Sequence, residues 1–121
     1  LSLHDALPIC ADAVFNLAHA ALVVAALATG QAQALRGAMR DRLHQPYRAP
    51  LVAGFDAVVA AAEEAGAYGA VLSGSGPTVA ALTPPEVAGA VGAAMVAAFA
   101  AAGVDSRAIE TSIEPRGALA G

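Results

Sequence analysis

Alanine is the strongest constraint on this chain: it fills 35 of the 121 positions. Hydrophobic residues make up 58% of the sequence, so about half of that share consists of single methyl groups. Burial energy scales with the apolar area removed from water, and an alanine removes little. The chain must therefore build a thin core from Ala-rich helices and a few larger side chains. A length of 121 residues suits one domain.

Charge narrows the function. Only 13% of residues are charged and the net charge is −4, which excludes an acidic or basic disordered tail. All six cations are arginine. A lysine-dependent phosphate loop, a Schiff-base lysine and a polybasic membrane patch are thus excluded within the chain. With a pI of about 5.1 and no basic stripe, nucleic acid is not an expected partner. The single cysteine, Cys10, cannot form an internal disulfide or a multi-cysteine metal site. That fits a reducing, cytoplasmic setting, and the N-terminus lacks the charge pattern of a secretory signal.

Three stretches carry no charge: Ala13–Leu35, Ala65–Pro85 and Val87–Val104. Their lengths approach that of a spanning helix. The first, however, holds Asn16, His19, Gln31 and Gln33, the second is broken by Gly and Pro, and the third is mostly alanine. Buried helices are the expectation, not a membrane.

Residues 1–10 show no useful periodicity and are set apart as a non-native or disordered segment, which removes His4 and Asp5 as site candidates. Residues 11–121 form the domain. Ala11–Thr29 reads as a helix with Val14, Leu17, Ala21, Val24 and Ala28 at three- and four-residue spacing. Gln31–Arg42 reads as a second helix ended by Pro46, and Tyr47–Ala53 as a loop. Phe55–Ala65 is a third helix with a stripe of Phe55, Val58, Val59 and Ala62. Tyr68–Ser73 and Thr78–Thr83 flank a tight turn, Gly74–Pro77, as a hairpin. Glu86–Ala102 is a fourth helix, with Val87, Val91, Met95 and Phe99 every four residues. Arg107–Ile113 alternates as a third strand and Gly117–Ala120 as a short fourth. The order predicts an α+β fold with helices on one face of a small antiparallel sheet.

Two segments concentrate chemistry. Ser73-Gly74-Ser75-Gly76-Pro77-Thr78 can turn sharply and present amides to an anion such as phosphate, or be an ordinary hairpin turn. Asp41-Arg42-Leu43-His44-Gln45-Pro46-Tyr47-Arg48 crowds charged, imidazole and aromatic groups in an otherwise bland chain. An arginine there can form a bidentate pair with a carboxylate, or meet the last carbonyls of a helix. His19 reads as a half-buried core residue. Glu63 and Glu64 diverge by about 100° on a helix and read as a solvated face.

The runs DRLHQPYRAPL at Asp41–Leu51 and LSGSGPTV at Leu72–Val79, with the helix AVFNLAHAALVVAALATG at Ala13–Gly30, resemble the C-terminal part of the homoserine kinases of the GHMP kinase superfamily. The resemblance spans about Asp12 to Gly121. It implies a ferredoxin-like α+β domain and transfer of the ATP γ-phosphate to the hydroxyl of L-homoserine, on the route to threonine. In that family ATP and Mg2+ are held mainly by an N-terminal domain whose serine-rich loop is not among these residues. The resemblance thus implies no catalytic residue or metal ligand within this chain, and an isolated chain that is inactive.

By the same resemblance, Arg48 matches the arginine that engages the homoserine carboxylate, with His44 and Tyr47 as supports. Gly74, Ser75, Gly76, Pro77 and Thr78 match the loop that packs against ATP. The family often supplies a second arginine from its last strands. Here Ser112 falls near that register, and Arg107, with Arg116 nearby, is the substitute. The implied partners are L-homoserine, ATP and an N-terminal kinase domain docking on an exposed apolar patch, with a homodimer as a further expectation. Two other readings are a GHMP kinase of another small alcohol, such as a mevalonate-type compound, and a stand-alone ferredoxin-like metabolite-binding module. The QPYR segment, with its arginine suited to an amino-acid carboxylate, favours homoserine.

Overall fold

The computed structural model describes residues 3–117, with side chains from Ile9 onward. Helix α1 spans Leu3–Thr29. Three short helical pieces follow: a 3-10 turn at Ala32–Ala34, α2 at Leu35–Ala38 and α3 at Gln45–Arg48. After a 3-10 turn at Ala49–Leu51 come α4 at Phe55–Glu64 and the strands β1 at Gly69–Leu72 and β2 at Val79–Leu82. A 3-10 turn at Pro85–Val87 leads into α5 at Ala88–Ala101. The strands pair antiparallel, with Gly69 opposite Leu82 and Leu72 opposite Val79. The class is α+β, as the element order predicts.

The core lies where α4, α5 and β1 meet. Phe55, Val58 and Ala62 of α4, Val91 and Phe99 of α5, and Ala70 and Leu72 of β1 are buried. Val58 and Val91 are the largest side chains wholly out of solvent. The predicted stripes of α4 and α5 face inward, and the hairpin falls where the glycines place it. Alanine dominates the contact surfaces, so the backbones approach closely. At Gly54 (φ +79°) an added methyl would lie 2.6 Å from the Ala102 Cβ.

Several expectations change, and the Tyr47–Ala53 loop is instead helical over Tyr47 and Arg48 in α3 and over the 3-10 turn Ala49–Leu51. Helix α1 begins at Leu3 rather than Ala11 and runs on through Pro8. The predicted helix Gln31–Arg42 breaks at Arg36 (ψ 116°) and Gly37 (φ +84°), since glycine adopts the left-handed region without a Cβ clash. Pro46 does not end a helix; it sits in the first turn of α3, where its missing amide is no loss. Arg107–Ile113 forms no strand. It runs exposed beside α5, where a methyl at Gly92 would meet Ala108 at 3.0 Å. Ile109 and Ile113 are 74% and 70% exposed, so the alternating apolar side chains stay largely in solvent. Apart from Gly117, which is not in a strand, Gly117–Ala120 lies outside the described residues.

Helix α1 also presents the unexpected side. Val14, Leu17 and Val24 are 63%, 73% and 67% exposed. The side turned to the rest of the chain carries Asp12, Phe15, Asn16, His19, Val23 and Ala26. The apolar stripe is therefore bare and the polar side is docked. Among the described residues that side finds its partners in the 3-10 turn Ala32–Ala34, in α2 and in the bend between α2 and α3. By length and composition alone, Ile9–Thr29 is apolar enough to cross a membrane.

Candidate functional site

The bend before α3 is organised by Asp41. Its carboxylate accepts hydrogen bonds from the amides of Leu43 (2.9 Å), His44 (3.0 Å) and Gln45. Leu43 and His44 lie in the turn that enters α3 and Gln45 is its first residue, so the carboxylate satisfies the amides of the approach and of the helix start together. Asn16 of α1 donates to Asp41 through Nδ2 and accepts from the Arg42 amide at 2.8 Å through Oδ1. The Arg42 guanidinium lies 3.8 Å over the Phe15 ring, which stacks on His19 at 3.7 Å. Arg42 also reaches Asp12 at 3.9 Å. These contacts fix α3 to α1.

Burial alone would raise the Asp41 pKa. The hydrogen bonds from Asn16 and from the Gln45, Leu43 and His44 amides outweigh it and hold the carboxyl at about 2, below its ordinary 3.8. A depressed folded pKa contributes stability above about pH 4, and that contribution is lost as pH falls toward 2. Asp41→Ala should cost about 1 kcal/mol at pH 7, the usual worth of a side chain that satisfies amides at a helix start. The gap to the parent should narrow between pH 4 and pH 2 in urea melts. A gap independent of pH would remove the ionised carboxylate from this role.

From α3, two side chains reach the hairpin. Gln45 Oε1 accepts from the Leu72 amide at 3.0 Å. Arg48 Nη2 donates to the Ser75 carbonyl at 3.0 Å across 27 positions of sequence. The Arg48 Nε is buried and has no partner among the described residues. The guanidinium is thus anchored to the glycine loop while keeping donors unmatched. That suits recognition of a carboxylate, since both are planar forks.

The Ser73–Thr78 loop closes on itself through Ser73 N to Thr78 O (2.8 Å) and Gly76 N to Ser73 O (3.2 Å). Gly74 (φ +59°) and Gly76 (φ +78°) are both left-handed. A methyl at Gly74 would meet open space, whereas one at Gly76 would press on Leu72 at 3.2 Å. Among the described residues the amides of Gly74 and Ser75 take no backbone acceptor. A loop with free amides and no Cβ in the way fits the edge of a phosphoryl group. The Gly76–Pro77 peptide is cis. No group of three or more His, Cys, Asp or Glu gathers as a metal site among the described residues.

The structure joins Arg48 to the glycine loop and places His44 one turn before Arg48, at the cap of α3. The His44 side chain is exposed, and Tyr47 is 72% exposed. Arg107 is not brought to Arg48. It lines a separate apolar cleft of about 720 Å3 that Pro77 and Thr78 also border. Another cleft, of about 490 Å3, is lined by Arg36, Arg40, Arg42, Asp41, Gln45 and Glu63 among others. Sequence reasoning passed over Asn16 and Gln45. The spacing of Asp41 to Pro46 is the available signal, an aspartate able to hold a turn by accepting from the amides after it, followed by a first-turn proline.

The family profile "GHMP kinases C terminal" matches residues 23–101. A homoserine kinase of Trichormus variabilis is 48% identical over 108 residues, covering 89% of this chain and 36% of the relative. One of Gloeobacter violaceus is 57% identical over 88 residues, covering 73% of this chain and 29% of the relative. The crystal structure of homoserine kinase from Cytophaga hutchinsonii superposes with a TM-score of 0.72 at 34% identity, covering 84% of this chain and 34% of that one. The chain thus spans about a third of the length of the curated relatives it matches. With a profile matching most of its length and a fold shared with a solved relative, the chain belongs to the GHMP kinase family and carries that family's C-terminal domain.

Proposed function

We propose that this chain is the C-terminal part of a homoserine kinase, acting in the cytoplasm in threonine biosynthesis. The observation that carries the reading is the bond from Arg48 Nη2 to Ser75 O. It links the arginine expected at the substrate carboxylate to the loop expected beside the transferring phosphate. In this reading Arg48 binds the carboxylate of L-homoserine, with His44 beside it. The Gly74–Thr78 loop lines the phosphoryl path with backbone amides. When bound, ATP with Mg2+ supplies the γ-phosphoryl group, held mainly by an N-terminal domain like that of the relatives. Residues 11–121 correspond to the C-terminal domain, with 1–10 outside it. Phosphoryl transfer rests mostly on positioning and charge stabilisation, so a fixed loop and a fixed substrate anchor are useful contributions from this half.

The test is coupled ADP release with L-homoserine, run on this chain alone and on this chain joined behind the N-terminal half of a homoserine kinase. Activity only in the joined protein is the expected result. Activity in the chain alone would overturn the division of labour. Turnover of another alcohol but not homoserine by the joined protein would overturn the substrate.

A further inference from the structure

Gln45 and Arg48 stand three residues apart on α3, on the same side of one turn. Both fasten the hairpin, at different points. Arg48 holds the tip of the glycine loop through the Ser75 carbonyl. Gln45 holds its root through the amide of Leu72, the last residue of β1. The Ser73 amide turns inward to Thr78 O. By the alternation of an antiparallel ladder, the neighbouring Leu72 amide turns outward, away from β2. Among the described residues the sheet has two strands, and that amide faces the edge of β1 away from β2. Gln45 supplies the acceptor that another strand would otherwise give.

We propose that Gln45 is a positioning residue for the phosphoryl-transfer loop. Its side-chain carbonyl fixes the root of Ser73–Thr78 against the turn that carries Arg48. The proposal rests on the reading of Arg48 and this loop as parts of a homoserine kinase site. Arg48 keeps its place through the Asp41-held turn that enters α3, which Gln45's side chain does not form. Loss of the Gln45 acceptor should therefore loosen the loop without dislodging the substrate anchor. A loop displaced by a fraction of an ångström lowers the rate of transfer more than it weakens binding.

The experiment compares Gln45→Leu, which removes the acceptor at similar size, with Gln45→Glu, which keeps an acceptor oxygen. In the joined enzyme, Gln45→Leu should lower kcat about tenfold with the homoserine KM within about twofold, and Gln45→Glu should restore most of the rate. In this chain, amide exchange at Leu72 should quicken about tenfold in Gln45→Leu and stay slow in Gln45→Glu. If Gln45→Leu does not fold, Gln45→Asn, one methylene too short to reach, takes its place with the same expectation. A parental kcat in the acceptor-less variant, a Glu variant as slow as the Leu variant, or unchanged exchange at Leu72 would each overturn the proposal. Arg48→Ala is measured alongside. An unchanged homoserine KM there removes the substrate reading, while the exchange result still decides the role of Gln45.

Discussion

In the joined enzyme, Arg48→Ala is expected to raise the KM for L-homoserine about 100-fold while the KM for ATP changes less than about twofold. A charge-assisted hydrogen bond contributes about 1.5–3 kcal/mol, and about 2.7 kcal/mol corresponds to a factor of 100. The guanidinium is already held at the Ser75 carbonyl, so little side-chain freedom is lost when a carboxylate arrives. Arg48→Lys should recover only part of the loss. An ammonium is a point charge and cannot present two parallel donors. Steady-state kinetics with each substrate varied in turn checks this. Parental homoserine kinetics in Arg48→Ala would remove the residue from the site.

The second large effect is on folding. Gly54→Val is expected to cost about 3 kcal/mol and to lower the melting temperature by about 12 °C or more. Two costs add. The backbone at Gly54 is left-handed (φ +79°), which a β-branched residue rarely adopts. The new Cβ would also lie 2.6 Å from that of Ala102, which is fixed to the backbone at the end of α5. Relief requires α4 and α5 to separate where the core is built. A domain whose whole stability is of order 5–15 kcal/mol feels this strongly. Circular-dichroism melts of the parent and variant measure the effect, and a shift under about 3 °C would contradict the packing of these helices.

The parts legible in the sequence are those that local rules decide. Val58 and Ala62, or Val91 and Phe99, are four or eight residues apart, and one helix period assigns them to a single face. The hairpin follows from Gly74 and Gly76 between two apolar runs. What failed depended on partners distant in sequence. Periodicity marked the apolar side of α1 but not whether anything in the chain would cover it. Alternation at Arg107–Ile113 marked a capacity to be a strand, and no edge took it up. Pro46 has one chemical property, a missing amide, which serves equally to stop one helix or to start the next; Asp41 decided between them. At the candidate site, the Ser73–Thr78 loop and the crowded segment that carries Arg48 each stood out in the sequence. Their junction across 27 positions was not, nor were Asn16 and Gln45, whose roles exist only once the chain has folded.

The inverted α1 bears on the order in which such a polypeptide is made. In the relatives, the matching segment belongs to the C-terminal portion, so roughly two thirds of the chain leaves the ribosome before it. A helix that leaves Leu17 and Val24 facing water is an aggregation hazard for as long as nothing covers it. Moving this segment to the front of the gene, as a circular permutation does, would reverse that timing. The penalty would appear in the yield of nascent chain rather than in the chemistry of the finished protein.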